Sequence, residues 1–238
     1  MKSRSIIIAI DGYSACGKST LARALAAKLH FRYVDTGAMY RAITWFALRE
    51  NIWGPDNDAS SKNLVSRLDD IKVDFEFNSD TGNSETLLNG ENVEKHIRSM
   101  EVSSVVSEVS KIPEIRKRMI ALQRKMGERK SLVMDGRDIG TNVFPGAELK
   151  IFMTAEPEIR AMRRKDELTA KGIHIDMDEV RKNLELRDFE DSNRKENPLR
   201  QASDAYVLDN SSLTPEEQLN YVLKIMRDLK FIEEPKPA

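Results

Sequence analysis

The sequence predicts an α/β fold in which helices cover both faces of a five-stranded parallel sheet. Short apolar runs alternate along the chain with segments whose apolar residues recur at helical spacing. A glycine-rich loop stands between the first apolar run and the first helical segment, and carboxylates end the second and third runs. Ligands of such sheets bind beyond the carboxyl ends of the strands. We therefore expect the chemistry of this protein at that edge.

The core strands and helices can be placed from local patterns. Pro113 begins one helix, where its missing N–H costs no hydrogen bond, and Gly127 ends it. The polar stretch 55–61 is expected to be a loop. The predicted strands cover 6–10, 31–35, 131–135, 149–154 and 205–209. The predicted helices cover 21–29, 37–47, 102–109, 113–127 and 215–229.

Two excursions interrupt the alternation of strands and helices. Residues 73–77 alternate between apolar and polar, a turn cluster at 79–83 follows, and another strand is expected at 86–88 before a tight Asn89-Gly90 turn. Two long charged helices lie between the fourth and fifth core strands. The sequence therefore predicts a core of 1–63, 102–154 and 201–232, a small antiparallel β insert at 64–101, a helical lid at 155–200 and a disordered tail at 233–238.

Composition excludes several classes of protein. The formal net charge of the 238 residues is -1, so no global field draws the chain to nucleic acid. Cys16 is the single cysteine, which rules out an intrachain disulfide framework and fits a reducing compartment. No apolar run approaches the ~20 residues that span a bilayer, and the chain leads directly into the first strand. We expect a cytoplasmic monomer without a membrane or nucleic-acid partner.

The glycine-rich loop fits the phosphate-loop pattern G-x-x-x-x-G-K-[ST] at every fixed position. Its glycines allow backbone N–H groups to turn inward and hold a triphosphate at the positive end of the following helix. Lys18 would reach the outer phosphates, and the Ser19 hydroxyl would take a place on Mg²⁺ together with Asp135 at the end of the third strand. The residues predicted to bind ATP are Gly12, Tyr13, Ser14, Ala15, Cys16, Gly17, Lys18, Ser19 and Thr20.

Further charges are expected at the same edge of the sheet. Arg41 lies one helical turn past Gly37, after the second strand, and Arg137 and Asp138 follow the third strand. The alternative for the third motif is a structural turn with one ion pair. Two anion sites, one at Lys18 and one at Arg41 and Arg137, fit a phosphoryl donor and a phosphorylated acceptor. Such an acceptor is already anionic and needs no general base.

The two lid helices carry arginines in register. One face of the first lid helix carries Arg160, Arg163 and Arg164. One face of the second carries Arg187, Asp191 and Arg194. A charged helical face is usually solvated. The position of these helices between two core strands also fits a flap that brings arginines over phosphates.

Three segments together resemble the bacterial cytidylate kinases. They are the phosphate loop with the preceding AIDG (9–12), DTGAMYR (35–41) and DGRDIGTNVFP (135–145). The resemblance runs from about residue 5 to residue 230, and the third segment is its specific part. It implies a P-loop nucleoside monophosphate kinase fold and the transfer of the γ-phosphoryl group of ATP to CMP or dCMP, with Mg²⁺, in pyrimidine metabolism.

The resemblance also implies roles for individual residues. Arg41 and Arg137 would hold the CMP phosphate, and Thr36 stands where many members have serine. Asp138 would accept from the cytosine amine, as carboxylates do in DNA readout. The full set expected to bind CMP is Thr36, Arg41, Ser107, Arg116, Asp135, Arg137, Asp138, Arg187, Asp191 and Arg194. The set expected to act in catalysis is Lys18, Arg137, Arg160 and Arg164.

Two other functions fit parts of the sequence. A small phosphate-loop kinase for UMP or shikimate would share the loop, and so would a nucleotide-binding module without turnover. The third motif favours a cytidine acceptor over the first alternative. Arg41, Arg137 and the lid arginines argue against the second, because a nucleotide switch does not need them.

Overall fold

A computed structural model describes residues 3–54, 57–78, 83–170 and 172–233 of the chain. By its internal contacts the chain divides into two compact units, Met1–Tyr33 with Arg129–Ala238, and Val34–Glu128. We refer to these as the first and the second unit. The predicted tail beyond residue 233 lies outside the described residues, and the division into core, insert and lid stays a prediction.

The predicted five-stranded parallel sheet is confirmed. Its strands are β1 (Ile7–Gly12), β2 (Arg32–Asp35), β6 (Leu132–Gly136), β7 (Leu149–Thr154) and β8 (Tyr206–Asp209). The strand order is β2-β6-β1-β7-β8, with parallel pairing of β1 to β6 and β7, and of β7 to β8. Every residue of β1 and of β6 is buried. Their continuous apolar sequences are typical of parallel strands that are covered on both faces.

The core of the first unit lies between this sheet and two helices, α1 (Lys18–Leu29) and α8 (Pro215–Asp228). Leu21, Leu25 and Leu29 of α1 are buried there, as their helical spacing predicts. The N-terminus of α8 forms a capping box, in which Thr214 and Glu217 satisfy each other's backbone N–H groups. Two further helices, α6 (Pro157–Ala170) and α7 (Met177–Asn193), pack against each other through a separate small apolar cluster.

Among the described residues, the second unit contains four α-helices and a small sheet. The helices are α2 (Thr36–Arg49), α3 (Asn57–Ser66), α4 (Met100–Val109) and α5 (Pro113–Gly127). The sheet is antiparallel, of order β3-β4-β5, with β3 (Val73–Asn78), β4 (Asn83–Leu88) and β5 (Glu91–Asn92). The predicted β insert is therefore present, with a third, two-residue strand. Asn89 and Gly90 both have positive φ, as the predicted tight turn requires.

One prediction in this unit is wrong. The sequence predicts a loop over 55–61, but α3 begins at Asn57; residues 55 and 56 lie outside the described residues. Asp58 lies in its first turn, where a carboxylate interacts favourably with the helix dipole. Leu64 and Ser60 are buried, and the Ser60 hydroxyl accepts from the Gly54 N–H at 3.0 Å. The polar composition of this stretch gave no indication that Ser60 and Leu64 would be buried. The predicted turn residues 79–82 lie outside the described residues.

Candidate active site

The phosphate loop follows directly from the local sequence. The strand β1 ends at Gly12, whose φ of +148° few side chains tolerate, and α1 begins at Lys18 after Gly17 at φ +84°. Within the described residues no side chain caps the N-terminus of α1, and the backbone N–H groups of a helix N-terminus favour an anion. The Asn210 side chain donates to the Cys16 carbonyl at 2.7 Å and thereby stabilises the loop.

A methyl group at Gly12 is expected to destabilise the protein strongly. The Cβ of Gly12→Ala would lie 2.1 Å from the Met153 carbonyl oxygen, and backbone atoms cannot move aside cheaply. We expect a loss of about 3 kcal/mol in the free energy of unfolding, measured by urea denaturation. Gly146→Ala is the matched control, because nothing lies within 4 Å of its added Cβ. Equal stability of the two variants would contradict this account of the loop.

Lys18 is buried within the loop. Its Nζ donates to the Tyr13 carbonyl at 2.6 Å, so the ammonium is folded back over the loop. Burial, and then the positive charge of Arg137, lower the pKa of Lys18 from its ordinary value. Because the positive charges of Lys18 and Arg137 repel each other, an anion bound between them would be stabilised.

Ser19 and Asp135 lie together, as the sequence predicts. The Ser19 hydroxyl donates to Asp135 Oδ2 at 3.0 Å, and the Tyr33 hydroxyl donates to Asp135 Oδ1 at 2.8 Å. A hydroxyl and a carboxylate beside a phosphate loop are the hard oxygen ligands that Mg²⁺ prefers, with waters and substrate phosphates completing its shell. No cluster of three or more His, Cys, Asp and Glu fit to hold a metal exists within the described ranges. The donor set present suits Mg²⁺ shared with a nucleotide.

Arg137 lies against the loop. Its Nη2 donates to the Ser14 hydroxyl at 2.9 Å and its Nε donates to Asp191 Oδ2 at 2.8 Å. Burial alone would raise the pKa of Asp191, but Arg137 and Arg194 hold it below its ordinary value. The charge of Asp191 therefore positions one edge of the Arg137 guanidinium.

Asp138 and Arg194 form a buried ion pair. Arg194 Nη2 donates to Asp138 Oδ1 at 3.1 Å, and the Asn142 amide donates to Asp138 Oδ2 at 3.1 Å. Both charged side chains are less than 10% exposed. Arg187 lies close enough to lower the pKa of Asp191, so the predicted residues of α7 converge on the third motif. The predicted grouping of Arg137, Asp138, Arg187, Asp191 and Arg194 is thus present in the first unit.

The two lid arginines differ in their contacts. Arg160 donates to the Ser14 carbonyl at 3.3 Å, forms an ion pair with Asp188, and lies 5.3 Å from the centre of the Tyr13 ring. Arg164 instead pairs with Glu167 of its own helix at 2.9 Å. Arg160 therefore contacts the phosphate loop directly. The neighbouring Arg163 acts on the loop indirectly, because it donates to Asn210 Oδ1 at 2.9 Å and Asn210 donates to the Cys16 carbonyl.

The second unit carries the remaining predicted residues. Asp35 caps the N-terminus of α2, accepting from the Ala38 N–H at 3.0 Å, and Thr36 is buried as the first residue of that helix. Burial would raise the pKa of Asp35, but the charges of Arg98 and Arg41 bring it below its ordinary value. Arg41 is thus close to the strand end, where the sequence predicts an anion site.

Arg116 of α5 is almost fully buried. Its guanidinium lies 5.7 Å from the centre of the Tyr40 ring and donates to the Ser110 carbonyl at 3.3 Å. The Ser110 hydroxyl in turn donates to the carbonyl of Ser107 at 2.9 Å. Ser107 and Arg116, predicted from the resemblance alone, therefore lie near each other in this unit.

Sequence reasoning missed several residues that support the site. Asp11 is 4% exposed and accepts from the backbone N–H groups of Ile139 at 2.8 Å and Gly140 at 2.7 Å. It stands at the end of β1 immediately before the loop, and that position was a usable signal. Asp188, Asn210 and Arg98 carry no local pattern, because their partners are far away in the sequence.

Asp11 should make stability depend on pH. Burial is the main cause that raises the pKa of Asp11 from 3.8 to about 6. The folded protein thus binds this proton more tightly than the unfolded chain, so the contribution of Asp11 to stability grows as pH falls from about 6 to 3.8. Relative to Asp11→Asn, the wild type should gain about 2 kcal/mol of unfolding free energy over that range. Urea denaturation of both proteins at each pH measures it, and a constant difference would contradict it.

Fold and site together define a class, the phosphate-loop phosphotransferases. A family model described as cytidylate kinase matches residues 8–228. The chain is 52% identical over 222 residues to a cytidylate kinase of Cytophaga hutchinsonii, covering 93% of each chain. It is 50% identical over 230 residues to a cytidylate kinase of Flavobacterium johnsoniae, covering 97% of this chain and all of that one. The protein belongs to the cytidylate kinase family.

Two other findings concern the fold and the membrane. A solved structure of an uncharacterized protein from Eubacterium ventriosum is similar over 94% of this chain and 99% of its own, at a TM-score of 0.50 and 11% identity. That likeness concerns the fold alone. None of the helices in the described ranges has the length and apolar character that crossing a membrane requires.

Proposed function

We propose that this kinase transfers the γ-phosphoryl group of ATP to CMP or dCMP, giving CDP or dCDP and ADP. The observation that carries the proposal is the contact of Arg137 with Ser14 at 2.9 Å. This contact supports the proposal because Arg137, which would hold the acceptor phosphate, lies against the loop that would hold the donor phosphates. The adjacent Asp138 would offer a carboxylate to the exocyclic amine of cytosine.

The donor side would be formed by the loop 12–20. Its backbone N–H groups and Lys18 would hold the phosphates of ATP, and Ser19 and Asp135 would hold Mg²⁺, directly or through water. When bound, Mg²⁺ neutralises charge that builds up on the phosphate oxygens. Arg160, which already reaches the loop, would stabilise the transferred group, and Arg164 would join it when the lid closes.

The acceptor side would be divided between phosphate, base and sugar. Arg41 and Arg137 would hold the acceptor phosphate, and Thr36 is the first residue of the helix that carries Arg41. Asp138 would accept from the exocyclic amine of cytosine, whereas uracil has a carbonyl there and would leave two acceptors facing each other. The remaining proposed contacts are Ser107, Arg116 and Arg194 to the base, and Arg187 and Asp191 to the sugar.

Proximity and positive charge would do most of the catalytic work. The acceptor oxygen of CMP belongs to a phosphate that is already ionised, so no general base has to remove a proton. The loose transition state spreads charge over three oxygens, and Lys18, Arg137 and Arg160 would surround them. A cytoplasmic location and a monomeric state stay predictions.

An acceptor panel tests the proposal. ADP release is measured by a coupled assay with ATP and Mg²⁺ in the presence of CMP, dCMP, UMP, AMP or shikimate. We expect turnover with CMP and dCMP well above that with the other acceptors. Turnover with UMP or shikimate far above CMP would overturn the assignment, and ATP binding without acceptor-dependent turnover would indicate a non-catalytic module.

A further inference from the structure

The β insert is joined to the start of α2 by a continuous polar chain within the second unit. Thr86 of β4 is completely buried, and its hydroxyl donates to Glu94 Oε2 at 2.8 Å. Glu94 Oε1 accepts from Arg98 at 2.8 Å, and Arg98 Nη2 donates to Asp35 Oδ2 at 3.0 Å. Asp35 then caps α2 through the Ala38 N–H. The chain runs from a strand of the insert to the helix that carries Thr36 and Arg41.

Asp35 is shared between two arginines. Arg98 holds one carboxylate oxygen, and the positive charge of Arg41 also acts on the carboxylate. Gly37 leaves room for this arrangement, because a Cβ there would lie 3.0 Å from Asp35 Oδ1 and 3.3 Å from Arg41 Nη1. The Arg41 guanidinium therefore lies over Gly37, on the side of Asp35.

The geometry points to Arg98 as a positioning residue for acceptor binding, which assigns a role to the β insert. This inference rests on the proposed function of Arg41 as a ligand of the CMP phosphate. Arg98 balances part of the charge of Asp35, so the attraction of this carboxylate for Arg41 is weaker than it would be without Arg98. Glu94 and Thr86 fix the Arg98 side chain in turn.

Removal of Arg98 has two consequences in this arrangement. Asp35 loses its main partner and attracts Arg41 more strongly, which competes with the acceptor phosphate. The N-terminal turn of α2 also loses an anchor for its capping carboxylate. Both consequences weaken acceptor binding. Asp35, Arg41 and Arg98 all lie outside the loop that would bind ATP, so ATP binding should change little.

Steady-state kinetics of Arg98→Met tests the inference. We expect the KM for CMP to rise about tenfold, in line with the loss of a hydrogen bond between charged groups, while the KM for ATP stays within about twofold. Arg118→Met is the matched control, because Arg118 pairs with Asp69 on the surface of the same unit at 2.8 Å. Its KM values should stay within about twofold of the wild type.

Further variants keep the inference falsifiable if Arg98→Met does not fold. Arg98→Lys retains the charge but cannot hold both carboxylates in the same way, and Glu94→Gln weakens the support of Arg98; each should raise the KM for CMP about threefold. A KM for CMP unchanged in all three variants, with an active wild type, would overturn the inference. Equal rises in both KM values would also overturn it, since they indicate general damage. An inactive wild type would instead contradict the proposed function.

Discussion

Replacement of Lys18 by alanine should lower kcat/KM for phosphoryl transfer by about 10³-fold. Lys18 is the first residue of α1 and is buried, and its ammonium donates to the Tyr13 carbonyl of the loop at 2.6 Å. In the loose transition state this charge acts on oxygens that gain negative character, so its removal should affect kcat as well as KM. The coupled ADP-release assay with CMP measures both constants.

Lys28→Ala provides the matched control for that experiment. Lys28 lies on the same helix but is exposed in its last turn. Its removal should leave kcat and both KM values within about twofold, since surface substitutions seldom have larger effects. A Lys18→Ala variant that retains more than about a tenth of wild-type kcat would contradict the role of this lysine.

Asp138→Asn should lower the preference for CMP over UMP by about 10²-fold. The carboxylate can only accept, and it is fixed by Arg194 and Asn142. An asparagine of the same shape can turn its amide towards either base, accepting from the cytosine amine or donating to the uracil carbonyl. The measurement is the ratio of kcat/KM for CMP to that for UMP, in the variant and in the wild type.

The control for Asp138 is Asp228→Asn, which removes an exposed carboxylate at the end of α8. It should leave the ratio unchanged. If Asp138→Asn lowers activity on CMP and UMP equally, the residue supports the site without reading the base. If both the activity and the ratio are unchanged, Asp138 does not contact the acceptor.

The parts of the fold that local patterns encode were predictable. The five strands, the phosphate loop and the Asn89-Gly90 turn follow from apolar runs, helical spacing and residues that tolerate positive φ, and all are present. The loop predicted at 55–61 failed because polar residues can also form a helix that is anchored by a few buried contacts, here Ser60 and Leu64.

The pairing of residues across the chain was much less predictable. The contacts of Ser19 with Asp135 and of Arg137 with Asp191 agree with expected groupings. Three other contacts were not predicted: those of Asp188 with Ser14, of Asn210 with Cys16 and of Asp11 with Ile139. Each joins segments more than a hundred residues apart, and nothing in the local sequence of either partner specifies the other.

By itself the sequence determined which residue types stand at each strand end, because steric and hydrogen-bonding limits act over a few neighbouring residues. It therefore determined the class of chemistry, the anion-binding loop and the acidic and basic side chains that accompany it. Only the tertiary structure decided which charges are buried together, such as Asp138 with Arg194, and which carboxylate Arg98 neutralises. The physical reason is that the energy of a buried charge depends on partners within a few ångströms in space, and their distance in sequence has no bearing on it.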